Sequence, residues 1–233
     1  MWGWFDPMYL LFLAPAMLLA LWAQFRVRSA YQEAMKIPAQ SGITGAEGAD
    51  EVMRSAGVSG VQIEPVEGFL SDQYVPSEKV LRLSPDVYAG RSLAALGIAA
   101  HEAGHAIQDA YRYPLLVVRN ALVPLAGFGS NLSWIIIMIG FALASLAWIK
   151  IGILAFSLTV LFQMVNLPVE FDASRRANAA LVSGGIVSPD EAVYVRKVLG
   201  AAAWTYVAAT LSSVLTLLYF LFRSGLLGDR RGA

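Results

Sequence analysis

The sequence predicts a mainly α, polytopic membrane protein, with about four transmembrane helices joined to a small α+β domain. Three observations carry this. Of the 233 residues, 57% are hydrophobic and 15% charged, and the mean hydropathy is +0.58, too apolar for an ordinary soluble chain of this size. The apolar residues gather into runs long enough to cross a bilayer core. Between the first and second runs, residues 26–113 have the composition of a small soluble domain, with Gly, Pro and most of the charges.

Residues 1–25 form an N-terminal transmembrane anchor whose apolar run is Met8 to Phe25, followed by Arg26 and Arg28. No small-residue cleavage pattern follows it, so it reads as a signal anchor and not as a cleaved signal peptide. Trp2, Trp4 and Trp22 belong near the two interfaces. In 26–113, Thr44-Gly45-Ala46-Glu47 is a capping-box pattern that opens a helix to about Ala56, and Gly57 to Gly60 close it. The stretches "VQIEPV", "GFLSDQY" and "EKVLRLS" predict two or three short strands of a meander or hairpin, with Pro65 and Pro76 at edges and turns. From Ser92 to about Tyr111 the chain is rich in Ala and Leu and lacks proline, which predicts a helix.

Residues 114–130 make a poor span because of Arg119, Asn120 and Pro124, and are expected as an interfacial or re-entrant segment. A transmembrane hairpin is expected over 131–165, a helix over 166–199, a last span over 200–222 and a tail over 223–233.

Lys+Arg and Asp+Glu are both 17, so the chain lacks the positive excess that binding nucleic acid through phosphates requires. Having no cysteine excludes disulfides, thiol catalysis and Cys-type zinc sites. A transition-metal site must then use His, Asp and Glu. Both histidines of the chain lie in "AAHEAGHAIQDA", residues 99–110, four apart. On a helix, positions i and i+4 share one face, so His101 and His105 can present two imidazoles to one ion. Glu102 lies about 100° round the helix, outside the ligand stripe but able to take the proton of a water held at an open coordination position. Ala103 and Gly104, with Gly97 one turn above His101, leave room for a substrate chain, and a glycine in a helix equally serves close packing.

Catalytic zinc takes three protein ligands plus water, and the third must here be a carboxylate. The conspicuous acids lie in "NLPVEFDASRRANAAL", residues 166–181. Asn166 and Pro168 suggest a helix start that places Glu170 in its first turn. Asp172 competes, but two residues turn it about 200° away, so one of the two faces the site and not both. A hairpin over 132–165 supplies the even number of crossings that brings either acid back to the histidine side. With that topology the positive-inside rule assigns thirteen Lys/Arg to the metal side and four to the other, which orients the site to the cytoplasm.

The stretch "GFLSDQYVPSEKVLRLSPDVYAGRSLAALGIAAHEAGHAIQDA" together with "LPVEFDASRRA" resembles the bacterial zinc-dependent membrane neutral metallopeptidase family (YugP-like), over nearly the whole chain. The resemblance implies one Zn2+ ion held by His101, His105 and Glu170, with Glu102 as catalytic acid/base, in a bacterial inner membrane. A more distant likeness is to heat-shock membrane metallopeptidases and CAAX prenyl endopeptidases, which carry an aspartate four residues after the ligand glutamate. Here that position is Ser174, so Asp172 or Asp109 is left to take the aspartate's part. Within "SDQYVP" the family more often has His and Asp where this chain has Gln73 and Val75.

The expected function is that of a membrane-embedded zinc endopeptidase of the HExxH gluzincin type. Glu-assisted attack of zinc-bound water would cut peptide or protein substrates associated with the membrane. The rival is a non-catalytic, zinc-stabilised scaffold or chaperone-like partner, against which an intact Glu102 argues. A transporter is disfavoured because the spans carry few charges beyond Lys150. Four smaller expectations remain. Val80 to Ser84 reads as an edge strand for an extended substrate or as a plain structural hairpin. Arg175 and Arg176 read as oxyanion stabilisers or as interfacial anchors, and Tyr74 as another electrophile. Gln108 and Asp109 are close enough to His105 to hold its imidazole.

Overall fold

The computed structural model describes residues 6–68 and 71–227, without the side chain of Phe128. Trp2, Trp4, Phe69, Leu70, Arg230 and Arg231 lie outside the described residues. Among the described residues, seven helices and three strands follow in the order α1 (Pro7–Met35), α2 (Gly45–Ser55), β1 (Gln62–Pro65), β2 (Gln73–Val75), β3 (Val80–Leu83), α3 (Pro85–Tyr88), α4 (Leu93–Ala110), α5 (Pro114–Ala142), α6 (Leu146–Ser183) and α7 (Glu191–Arg223). Of these, α1, α5, α6 and α7 are long and apolar enough to cross a membrane. The chain divides into two compact units, one of residues 1–22, 118–167 and 205–233, the other of 23–117 and 168–204.

In the first unit, Ile137, Ile149, Ile153, Tyr219 and Phe220 form a buried core against which Tyr9, Phe12 and Trp134 pack. Residues 114–130 are not a separate segment: they are the first half of the continuous helix α5. The residues that argued against a span are accommodated in it. Arg119 Nε donates to Asn166 Oδ1 at 2.9 Å, and a helix inside a bilayer can absorb the single N–H lost at Pro124. Gly129 and Gly152 allow close helix approach, since a Cβ at Gly129 would lie 2.8 Å from the Ala155 carbonyl oxygen and one at Gly152 2.9 Å from the Ile137 nitrogen. The α5–α6 turn falls at 143–145, so two apolar helices separate His105 from Glu170.

No helix starts at Asn166. Instead α6 runs unbroken from Leu146 to Ser183 through Pro168, and Asn166 serves as the acceptor for Arg119. Proline lacks an N–H and crowds the preceding turn, but membrane helices tolerate it, and α1 likewise contains Pro15.

The second unit holds the sheet and α4. Helix α2 carries the capping box read from sequence: Thr44 Oγ1 accepts from the Glu47 N–H and the Glu47 carboxylate accepts from the Thr44 N–H. The strand order is β1-β3-β2, with β3 parallel to β1 and antiparallel to β2. The hairpin reading therefore holds for β2–β3, but the sheet is mixed and no meander. Of the two readings of Val80 to Ser84, edge strand or structural hairpin, the structure supports the hairpin: Val80 to Leu83 is the central strand, with Leu81 and Leu83 fully buried, and β2 is an edge. Pro65 closes β1 at the opposite edge, where its missing N–H costs nothing. Helix α4 starts at its cap Ser92, whose hydroxyl accepts from the Ala95 N–H at 3.1 Å. Its Leu93, Leu96, Ala99, Ala100, Ala103 and Ile107 lie in one buried cluster with Val52, Leu81, Leu83, Leu181 and Val195.

Candidate metal centre

The site is built where α4 crosses α6. Gly104 makes that crossing possible, because a Cβ there would sit 2.6 Å from the Ala173 carbonyl oxygen. Gly97, one turn above His101, faces Val195 in the same way, and a Cβ there would lie 3.2 Å from Val195 Cγ1. Of the two readings of these glycines, room for substrate or close packing, both positions serve helix packing.

At this crossing His101 Nε2 lies 3.2 Å from Glu170 Oε2, and His105 Nε2 lies 3.5 Å from the same oxygen. The two imidazole rings stand edge to face with centroids 4.9 Å apart. One donor atom from each of His101, His105 and Glu170 lies within 4.8 Å of the others, so among the described residues these three form a group that could hold a metal ion. Glu170 and His105 are buried, and His101 retains a narrow opening to solvent.

The remaining ring nitrogens are occupied. His101 Nδ1 lies 3.1 Å from Ser174 Oγ, and His105 Nδ1 lies 3.0 Å from Gln108 Oε1. Both Nε2 atoms therefore point into the cluster, the arrangement expected of metal-binding histidines, whose second nitrogen is held by a partner. The donor set of two imidazoles and one carboxylate suits Zn2+.

Asp172 does not join the three donor residues. It accepts from Gln108 Nε2 at 3.0 Å and pairs with Arg175 and with Arg176, the latter at 2.5 Å. The helical turn separates it from Glu170 as the sequence suggested, yet Gln108 reconnects it to His105. Ser174 itself reaches His101. Arg175 and Arg176 are engaged by Asp172, and Arg176 also lies over the Tyr113 ring at 5.7 Å.

Glu102 accepts from the main-chain N–H of Tyr74 on edge strand β2 at 3.0 Å. Burial pushes its carboxyl above the usual carboxylate range and the Glu170 charge adds to this, while His101, His105 and the Tyr74 N–H oppose it. The Tyr74 hydroxyl does not face the cluster as an electrophile: it donates to Asp109 Oδ2 at 2.7 Å. Asp109 also takes Lys79, so Asp109 ties β2 to α4 and does not hold His105. Burial, then Asp109, raise the Tyr74 pKa, which keeps the phenol neutral. Gln73 and Val75 flank Tyr74 on β2 and share its opposite face. The Tyr74–Glu102 bond had no sequence signal, because a main-chain donor carries no residue type.

Fold and site together define a mostly helical protein with four helices long and apolar enough to cross a membrane and, between the H-E-x-x-H helix α4 and α6, a group of two histidines and one glutamate that could hold a metal ion. Comparison with known proteins places it further. Residues 9–225 match the family described as "Putative neutral zinc metallopeptidase". The chain is 45% identical over 215 residues, 92% of its length and 96% of the relative's, to the "Putative membrane protease YugP" of Bacillus subtilis (strain 168). This protein belongs to the neutral zinc metallopeptidase family. No solved structure matches it.

Proposed function

We propose that this chain is a membrane-embedded zinc endopeptidase of the HExxH gluzincin type, acting on peptide bonds of membrane or membrane-associated proteins. The observation that carries the reading is the convergence of His101 Nε2, His105 Nε2 and the Glu170 carboxylate, each outward-facing ring nitrogen being already held. Zinc bound by these three supplies a Lewis acid for the scissile carbonyl and lowers the pKa of a water ligand. Glu102 takes a proton from the attacking water and returns it to the leaving amine. The Tyr74 N–H steadies the Glu102 carboxylate for both transfers. The raised Glu102 pKa brings it nearer to that of a group that both accepts and releases a proton.

One Zn2+ per chain is expected. The partners are a peptide or protein substrate and the lipid bilayer, with no nucleic acid. The location is a bacterial inner membrane with the site on the cytoplasmic side, supported by the distribution of Lys and Arg.

The test compares zinc content and cleavage of an unfolded reporter, in detergent and in liposomes, for wild type and Glu102→Gln. Retention of zinc with loss of a wild-type activity upholds the reading. Zinc in both proteins with no cleavage across a broad peptide library would replace it with the scaffold role, and absence of zinc from wild type would remove the metal centre.

A further inference from the structure

Gln108 is fully buried and its side chain makes three hydrogen bonds, enough to determine its orientation. One of its amide atoms lies 2.9 Å from the Val169 carbonyl oxygen and 3.0 Å from Asp172 Oδ2. A carbonyl and a carboxylate flanked by two arginines can only accept, so this atom must be the NH2 group. The other amide atom is then the carbonyl oxygen Oε1, and it faces His105 Nδ1 at 3.0 Å. An oxygen there requires a proton on Nδ1. In the neutral ring this leaves Nε2 with its lone pair, aimed at the cluster.

We infer that Gln108 and Asp172 form a positioning relay that sets the tautomer of His105 and so prepares its Nε2 for the metal. The direction of every hydrogen bond in the relay follows from its far end. Arg175 and Arg176 hold Asp172 as an acceptor, Asp172 and the Val169 carbonyl hold the Gln108 amide as a donor, and the Gln108 oxygen selects Nδ1–H on His105. His101 is constrained from its other nitrogen. Its Nδ1 partner is the Ser174 hydroxyl, which donates or accepts with equal ease, while its Nε2 lies 3.2 Å from the Glu170 carboxylate, which favours a proton there in the metal-free chain. The two ligands are therefore prepared unequally: His105 is held as the Nδ1–H tautomer before metal arrives, while His101 must give up its Nε2 proton and pass it to Nδ1.

The inference deepens the proposed zinc site and rests on that reading only for its metal consequence, since the tautomer is a property of the metal-free chain. Its test is nitrogen-15 NMR of the histidine rings in the full-length, metal-free protein in detergent, at a pH where both are neutral. With two histidines in the chain, His101→Asn suffices for assignment. The expected spectrum has His105 protonated at Nδ1 and His101 protonated mainly at Nε2, toward Glu170. A His105 ring protonated mainly at Nε2 would overturn the inference, whether or not the protein cleaves peptides.

Zinc affinity, measured by competition with a chromophoric chelator, provides the second readout. Gln108→Leu is expected to bind zinc about 10–100-fold more weakly than wild type. A folded Gln108→Leu protein with wild-type affinity refutes the relay. Should Gln108→Leu fail to fold, the wild-type spectrum alone decides.

Discussion

Replacing Gly104 by alanine tests whether the α4–α6 crossing sets the site geometry. The new Cβ would meet the Ala173 carbonyl oxygen at 2.6 Å and its carbonyl carbon at 3.2 Å. Ordinary contact begins near 3.4 Å, so α6 must retreat by roughly 0.8 Å, and overpacking of this kind costs about 1–3 kcal/mol. The atoms it meets are backbone, so no side chain can rotate away. Helix propensity offsets about 1 kcal/mol of that cost, because alanine favours a helix interior over glycine. The net loss of stability is therefore modest, whereas the loss at the site is not. Ala173 adjoins Ser174 and lies one turn from Glu170, and a displacement near 1 Å costs on the order of 100-fold in rate. Gly97→Ala is the control, since its Cβ meets the Val195 side chain at 3.2 Å, a contact that a shift of a few tenths of an ångström relieves. The assay pairs thermal melting in detergent with zinc affinity and reporter cleavage for both variants. A Gly104→Ala protein that binds zinc and cleaves like Gly97→Ala would refute the argument that this crossing limits the site.

Further outcomes are expected at neighbouring positions. Tyr74→Phe keeps the main-chain N–H on Glu102 and removes only the hydroxyl bond to Asp109, so reporter cleavage should stay near wild type while melting shows a loss of about 1 kcal/mol; a collapse in kcat would return Tyr74 to the chemistry. Ser174→Asp offers His101 a strict acceptor in place of a hydroxyl and should tighten zinc binding, whereas Ser174→Ala should weaken it, both by chelator competition. Chelation of the wild-type protein should abolish cleavage and added Zn2+ should restore it; activity that survives complete metal removal would exclude the zinc mechanism.

Periodicity and capping chemistry made most of the fold legible in the sequence. The Thr44 box, the Ser92 start of α4 and the two histidines on one helical face all rest on local rules. What was not legible depended on partners distant in sequence. Arg119, Asn120 and Pro124 resemble an interrupted span until Asn166 is seen opposite Arg119. Asn166 and Pro168 form a plausible helix start, yet the helix simply continues. The order β1-β3-β2 reassigns the edge from β3 to β2, because strand order depends on pairing and not on pattern. At the site, residue type identified the histidines and the choice between two acids. Of the occupants of their ring nitrogens, Gln108 was within reach of His105 by its spacing, whereas Ser174 became clear only from distances.

The unbroken course of α6 also constrains how this protein can change in length. An apolar span and Glu170 share one helix, so inserting a single residue between Leu146 and Glu170 would turn the carboxylate by about 100° relative to the span. Deletions there would do the same in the opposite sense. The loop 184–190 has no comparable angular constraint on the ligands, since none follows it. Length variation among members of this family should therefore collect in the loops, while the number of residues from the start of α6 to its glutamate stays constant.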